Sequence, residues 1–173
     1  HHSRKRLQFG HLAGDVAFAP QWAEAGDYQR QEGLCGAEGD STKLLTTLML
    51  RNIPSNYTRE ALLGLIEGFG FHGCCDFIYT PMDFHSNAGL GYAFVNFLTE
   101  NDAERVRQMF HGFGAWYPPS HKVCEVSFSH PFQGLSEHIA QHRNSCVMHE
   151  SVPDCYKPAV YENGIRQPFP MPT

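Results

Sequence analysis

The sequence predicts an α+β protein of ferredoxin-like βαββαβ order, with a four-stranded antiparallel sheet and two helices on one face. Two observations lead to this fold class. Four short segments have the apolar or alternating pattern of strands, and proline closes the first two of them, while two longer segments repeat apolar residues every three or four positions, as helices do. All six segments lie within residues 44–132 of the 173-residue chain, which is room for one domain of ordinary size.

The first strand and first helix occupy the start of this region. A short apolar run at Thr47–Arg51 ends at Asn52-Ile53-Pro54, and it suits a strand because Pro54 cannot donate a hydrogen bond to a neighbouring strand. Thr58 can cap the helix that follows. Two glycines end this helix, whose predicted apolar face consists of Ala61, Leu62, Leu65, Ile66 and Phe69.

The second and third strands are predicted at 75–80 and 91–97, with a polar turn at 83–89 between them. Pro81 closes the second strand, and the third alternates strongly between larger and smaller side chains. A second helix begins at Thr99, which resembles a capping box with the residues after it. The fourth strand is predicted at 122–128.

The chain is divided into three parts by composition. Residues 1–43 show no sustained period and are predicted to be disordered, with Arg4-Lys5-Arg6 as a cluster that could contact phosphate. Residues 44–132 form the domain. Residues 133–173 are a C-terminal extension, predicted to begin with a short helix at 135–143 and to continue as a proline-rich, irregular tail.

Composition and spacing exclude several function classes. The net charge of −5 argues against a protein that binds nucleic acid by covering phosphates with positive charge. We predict no enzyme activity, no cofactor and no metal, because no motif places a catalytic group and the cysteines form no C-x-x-C pair. No apolar run approaches the ~18 residues of a membrane span. A zinc site can be drawn, but its spacing matches no known module, and solvated or locally bonded histidines are the simpler interpretation for His138, His142 and His149.

The third predicted strand carries a binding motif. Residues 90–97 (LGYAFVNF) fit seven of eight positions of the RNA recognition motif (RRM) signature. Since alternate side chains point to opposite faces, Ala93, Val95 and Phe97 should face the helices while Tyr92 and Phe94 stand on the open face of the sheet. Two rings there can stack on two unpaired bases, at ~1–3 kcal/mol each.

Other strands contribute further candidates to this face. The first-strand position that usually stacks on a base is Met49, and the residue before the motif is Leu90 in place of a basic one. Phe77 and Tyr79 should lie on the open face because Ile78 faces the core.

Polar candidates lie at the strand ends. Arg51 should share the open face, where it either contacts RNA or forms an ordinary ion pair with Asp76 or Glu125. The predicted RNA-binding set consists of Tyr92, Phe94, Met49, Arg51, Asn52, Phe77, Tyr79 and Lys122.

These motifs resemble a known family. The C-terminal RRM of the Mei-two-like family of meiosis regulators, which includes the plant terminal-ear type, is similar to this chain in the third-strand motif and in residues 46–54, 76–79, 82–84 and 122–127. The similarity continues into the extension at 133–135, 144–145 and 167–170. Met49 also fits the family pattern. The resemblance implies single-stranded RNA binding in the control of meiosis, differentiation or growth, in the nucleus, the cytoplasm or both.

Two functions remain open at this point. The first is an RNA-binding module that stacks bases on Tyr92 and Phe94. The alternative is a protein-interaction RRM, in which the C-terminal helix or a partner peptide covers the sheet. Leu135, Ile139 and Val147 need a surface to pack on, because short helices are marginal in water. We expect a monomer that binds RNA, has no membrane association, and can contact protein partners through the extension.

Overall fold

The computed structural model describes residues 43–173, and the predictions for residues 1–42 fall outside this range. Six strands form one antiparallel sheet in the order β6-β1-β5-β2-β7-β8, and β3 and β4 form a separate small hairpin. The strands are β1 Thr47–Arg51, β2 Cys75–Tyr79, β3 Met82–Asp83, β4 Ala88–Gly89, β5 Tyr92–Phe97, β6 Glu125–Phe128, β7 Ala159–Glu162 and β8 Ile165–Gln167.

Three α-helices accompany the sheet within the described residues: α1 Arg59–Ile66, α2 Glu100–Phe110 and α3 Leu135–His142. Both predicted N-caps are confirmed, because the hydroxyl of Thr58 accepts from the amide of Ala61 at 3.1 Å and that of Thr99 accepts from the amide of Asp102 at 3.1 Å. Single 3₁₀ turns at Cys146–Met148 and Asp154–Tyr156 follow α3. Within residues 43–173, no helix has the length and hydropathy needed to cross a bilayer.

The predicted βαββαβ fold is confirmed, with local differences. The fourth strand begins at Glu125, three residues later than expected, and the predicted polar turn contains the β3–β4 hairpin. Phe69 does not lie in the core as expected: it is 43% exposed, and Phe71 is buried instead. The cause is a π-helical turn, Glu67–Phe71, which follows α1 and rotates the apolar face out of its 3.6-residue register.

The main core lies between the sheet and the helices α1 and α2. The alternation predicted for β5 is confirmed, because Ala93, Val95 and Phe97 pack in this core while Phe94 belongs to a second cluster on the other face. The main core also includes Leu48, Leu50, Ile53, Leu62, Ile66, Ile78, Val106, Phe110 and Val126.

The prediction of an irregular tail after the C-terminal helix is wrong. β7 pairs with β2 and β8 pairs with β7, so the extension adds two strands to the sheet. The turn between them is Asn163-Gly164, and both residues have positive φ, 51° and 77°. Such an Asn-Gly pair favours the two-residue turn that joins antiparallel strands. The edge of β2 offers unpaired amides and carbonyls, which β7 satisfies.

Candidate functional site

Strand register arranges the sheet face opposite α1 and α2 into rows. At the end of the sheet, Arg51 pairs with Tyr92 on one side and with Glu125 on the other, and we call these three residues the rim row. The next row inward contains Met49, Phe94 and Tyr79. The rings of Tyr92 and Phe94 meet edge to face, 5.9 Å apart. The structure therefore brings the predicted β-strand candidates together on one face.

That face is not open, which corrects the sequence-based expectation. Met49, Phe77, Tyr79 and Phe94 are at most 3% exposed. They form a second buried cluster with Val147, Val152 and Val160 of the C-terminal extension, and Leu135, Ile139 and Met148 pack around it. The alternation of β-strand residues placed these side chains on the correct face, but the extension buries them there.

Two histidines of α3 lie against the aromatic rings of the sheet. The His138 ring is 5.1 Å from the Phe77 ring and 5.9 Å from the Phe94 ring, and the His142 ring is 4.7 Å from the Tyr79 ring. Each histidine also bonds a carbonyl: His138 Nε2 lies 3.3 Å from the oxygen of Phe132, and His142 Nδ1 lies 2.8 Å from the oxygen of His138. Both histidines are thus locally bonded, and neither is solvated.

The buried histidines are held in the neutral form. Burial lowers the pKa of His138 to about 4, and nearby His142 adds to this effect. Burial also lowers the pKa of His142. Because Nδ1 of His138 and Nε2 of His142 have no hydrogen-bond partner among residues 43–173, protonation of either ring would place a charge in an apolar layer without an acceptor.

This burial predicts a specific pH dependence. An unfolded histidine titrates near pH 6.5, so between pH 7 and pH 5 the unfolded chain takes up a proton at His138 that the folded chain does not. The free energy of unfolding therefore decreases as the pH is lowered from 7 to 5. We expect His138 to account for about 2 kcal/mol of this loss. Urea unfolding at both pH values measures it. In His138→Phe the loss should be smaller by that amount, whereas His149→Gln, a change at an exposed residue, should behave like the parent. An unchanged pH slope in His138→Phe would contradict the assignment.

The rim row stays at the surface. The Arg51 side chain is 24% exposed and its Nη2 lies 3.7 Å from a carboxylate oxygen of Glu125, so one of the two ion pairs considered from the sequence is present. Asp76 instead accepts a bond from Asn96 at 2.7 Å. Tyr92 is half-buried, and burial of its hydroxyl raises the pKa of this group to about 12.

Asn52 and Lys122 flank the rim row. Asn52 is exposed and its amide donates to the carbonyl of Val123 at 2.9 Å, while the Lys122 ammonium donates to the carbonyl of Ile53 at 3.2 Å. Four of the eight predicted binding residues are therefore at least partly exposed at one end of the sheet. The other four are covered.

A buried glutamine fixes the start of the extension. The Gln133 side-chain oxygen accepts from the amides of Thr46 and Thr47 at 2.9 and 2.8 Å, and its nitrogen donates to the carbonyls of Thr47 and Ser129 at 2.8 and 2.9 Å. The amide of Gly134 adds a bond to the Thr47 hydroxyl at 2.9 Å. We call this group the Gln133 anchor.

A buried arginine fixes the later part of the extension. The Arg59 side chain is 2% exposed, and its guanidinium donates to the carbonyls of Asp154 and Lys157 at 2.8 and 2.6 Å and to the Asp154 carboxylate at 2.9 Å. Hydrogen bonds from Arg166 and Arg59 lower the pKa of Asp154 to about 2. We call this group, together with the β2–β7 pairing, the Arg59 anchor.

Sequence reasoning missed both anchors as structural features. Gln133 stood within a segment that resembles the Mei-two-like family, so a signal for it existed. For Arg59 the sequence offers no such signal, since nothing in it separates this residue from an ordinary polar residue of a first helical turn. Among residues 43–173, no group of three or more His, Cys, Asp or Glu side chains is arranged to hold a metal ion.

Comparison with protein families decides the assignment. A family model described as RNA recognition motif 2 matches residues 45–143. This chain belongs to that family. The match ends one residue after α3, so it spans the helix that covers the sheet in this chain.

Relatives place this RNA recognition motif among the Mei-two-like proteins, as the sequence predicted. Meiosis protein mei2 of Schizosaccharomyces pombe is 33% identical over 146 residues, which cover 79% of this chain and 18% of that protein. Terminal ear1 of Zea mays is 27% identical over 142 residues, which cover 73% of this chain and 22% of that protein. The chain thus spans less than a quarter of either relative. Among solved structures, the Sex-lethal RNA recognition domains 1 and 2 of Drosophila melanogaster superpose with a TM-score of 0.42 at 26% identity, over 50% of this chain and 50% of that one.

Proposed function

We propose that this chain is a single-stranded RNA-binding module whose first contact surface is the rim row with its two neighbours. The observation that carries this proposal is the position of Arg51 and Tyr92, side by side and partly exposed at the end of the sheet, with Asn52 and Lys122 next to them. Membership of an RNA recognition motif family supports binding as the activity, in place of catalysis.

The rim row offers the chemistry that an unpaired nucleotide needs. The Tyr92 ring can stack on one base, and Arg51 can pair with a phosphate or a base edge in competition with its weak contact to Glu125. Lys122 and Asn52 add donors for phosphate or sugar oxygens. Since the chain carries a net charge of −5, these local contacts provide the affinity and a broad positive surface does not.

The names of the relatives support a role in meiosis or differentiation. Mei2 is named a meiosis protein, and terminal ear1 belongs to the plant relatives. Because this chain covers only 18% and 22% of those proteins, the biological role is part of the proposal. The proposal includes a location in the nucleus, the cytoplasm or both, and binding as a monomer.

Titration of labelled single-stranded oligonucleotides, with duplex RNA as the control ligand, tests the proposal. We expect Tyr92→Ala and Arg51→Ala each to weaken binding about tenfold, because a base stack or a charged contact contributes ~1–3 kcal/mol. Matched controls are Phe69→Ala and Arg105→Ala, which alter an exposed ring and an exposed guanidinium of the α1 and α2 layer. The controls should bind like the parent chain, and all four variants should still melt cooperatively.

One observation favours the alternative, a protein-interaction module. The extension of the chain covers the face on which RRMs stack bases, as the alternative expected of its C-terminal helix. In that case no single-stranded oligonucleotide would bind, or the rim variants would bind as well as the controls. Either result would contradict the rim-row proposal.

A further inference from the structure

The segment between the two anchors crosses the buried sheet face. We call residues 134–153 the strap: it contains α3 and the 3₁₀ turn Cys146–Met148, and its apolar side chains cover Phe94, Phe77 and Tyr79. On one side it is held by the Gln133 anchor, and on the other by the Arg59 anchor. The strap can therefore lose its contacts with the sheet without leaving the molecule.

The strap is the weaker part of this arrangement. The anchors consist of satisfied hydrogen bonds, many of them to main-chain groups, and of a strand pair. The strap contains one eight-residue helix, and its polar contacts to the rest of the chain, such as the Lys43–Glu137 ion pair and the bonds from Arg143 to the Met171 carbonyl, are exposed. Two of its buried ring nitrogens, His138 Nδ1 and His142 Nε2, lack a partner among residues 43–173. A short helix depends on packing for its stability, and unpaired buried polar atoms reduce the gain from that packing. Local opening should thus begin at the strap.

The strap places two side chains against the sheet, His138 and His142, whose rings resemble nucleobases. His138 lies over Phe77 and Phe94 with interplanar angles of 37°, and His142 lies over Phe77 at 5.7 Å and an angle of 40°. Both rings are neutral, flat nitrogen heterocycles, as nucleobases are. In an RRM the rings beneath them are the surface on which bases stack. The two imidazoles therefore lie, tilted, against rings of the sheet face on which an RRM stacks unpaired bases.

We propose that the strap is a tethered gate, which unpaired RNA bases displace from Phe94 and Phe77 while both anchors remain intact. This inference rests on the proposed function and extends it: the rim row receives the strand, and the gated face receives the next bases. The apparent affinity for RNA is then reduced by the fraction of molecules in which the strap is closed. A change that loosens the strap should strengthen RNA binding, which is the opposite of what loss of an RNA contact would do.

The test combines substitutions that weaken the packing of the strap with one that removes the Phe94 ring. Leu135→Ala with Ile139→Ala removes two half-buried contacts of the strap and leaves both anchors untouched. We expect this double variant to bind a labelled single-stranded oligonucleotide about tenfold more tightly. Adding Phe94→Leu, which keeps an apolar side chain but removes the ring, should abolish the gain. The control is Gln141→Ala, at an exposed position of α3, and its affinity should be unchanged.

Hydrogen exchange supplies a second readout on the unmodified chain. A gate predicts that saturating oligonucleotide lowers the protection of α3 amides while the amides of β1 and β7 stay protected. The inference is overturned if the loosened chain binds equally or more weakly, if its gain survives Phe94→Leu, or if α3 protection is unchanged by RNA. The rim-row proposal fails separately, when Tyr92→Ala has no effect. If no variant binds RNA, both are wrong.

Discussion

Phe94→Ala should lower the free energy of unfolding by about 3–5 kcal/mol, the range for removing a fully buried phenylalanine side chain. Phe94 is 0% exposed. It lies between Met49 and Tyr79 on the neighbouring strands, and His138 of the strap covers it. On an open RRM face the same substitution would remove a solvated ring and cost little. Stability therefore reports whether the face is covered in solution.

Urea unfolding of the parent chain and the variant measures this difference. The matched control is Phe69→Ala, because Phe69 is the same residue type but is 43% exposed on the opposite layer. We expect the control to cost about 1 kcal/mol, in proportion to the apolar area that it buries. A loss in Phe94→Ala no larger than in the control would mean that the extension does not cover the sheet.

The comparison of sequence with structure separates what local patterns specify from what they do not. Alternation along β5 correctly assigned Val95 to the core and Phe94 to the other face, because side-chain direction in a strand depends only on parity. Parity does not tell whether a face meets water or another layer. Whether this face is covered depends on the extension. Leu135 and Ile139 indicated that the extension must pack on a surface, but the sequence did not show which one.

The missed features depend on contacts between distant residues. Gln133 bonds Thr47 across 86 positions, and Arg59 bonds Lys157 across 98. Neither residue type predicts burial, since glutamine and arginine side chains are mostly exposed in folded proteins. The β7–β8 hairpin was different, because Asn163-Gly164, preceded by Val160-Tyr161 and followed by Ile165, is a recognisable turn signal. The abundance of proline around it obscured that signal and led to the expectation of an irregular tail.

Arg59→Ala should lower the free energy of unfolding by about 3 kcal/mol, the second largest loss that we predict after that of Phe94→Ala. It breaks a buried, hydrogen-bonded ion pair. The carbonyls of Asp154 and Lys157 lose their donor, and the Asp154 carboxylate keeps only Arg166. Asp154 is 67% exposed and can be hydrated, which places the cost at the lower end of the ~3–5 kcal/mol for removing one partner of a buried pair.

Thermal melting and hydrogen exchange of the β7 amides provide the measurement. Arg59→Lys should recover little of the loss, since a single ammonium cannot reproduce the forked contacts of a guanidinium. Arg105→Ala is the control, because Arg105 is 59% exposed, its ion pair with Asp102 spans 3.6 Å and its guanidinium lies over the Phe71 ring. It should cost about 1 kcal/mol or less. Normal stability in Arg59→Ala would show that β7 stays paired with β2 without the hydrogen bonds of Arg59.

Arg59→Ala also separates a tethered strap from a loose one. If the Arg59 anchor keeps the strap close to the sheet, its loss should raise exchange at the α3 amides and at the β7 amides together. The Leu135→Ala and Ile139→Ala pair should raise exchange at α3 alone, since β7 stays paired with β2. Equal patterns in the two variants would mean that strap and hairpin open as one unit, and RNA could then reach Phe94 only by detaching the whole extension.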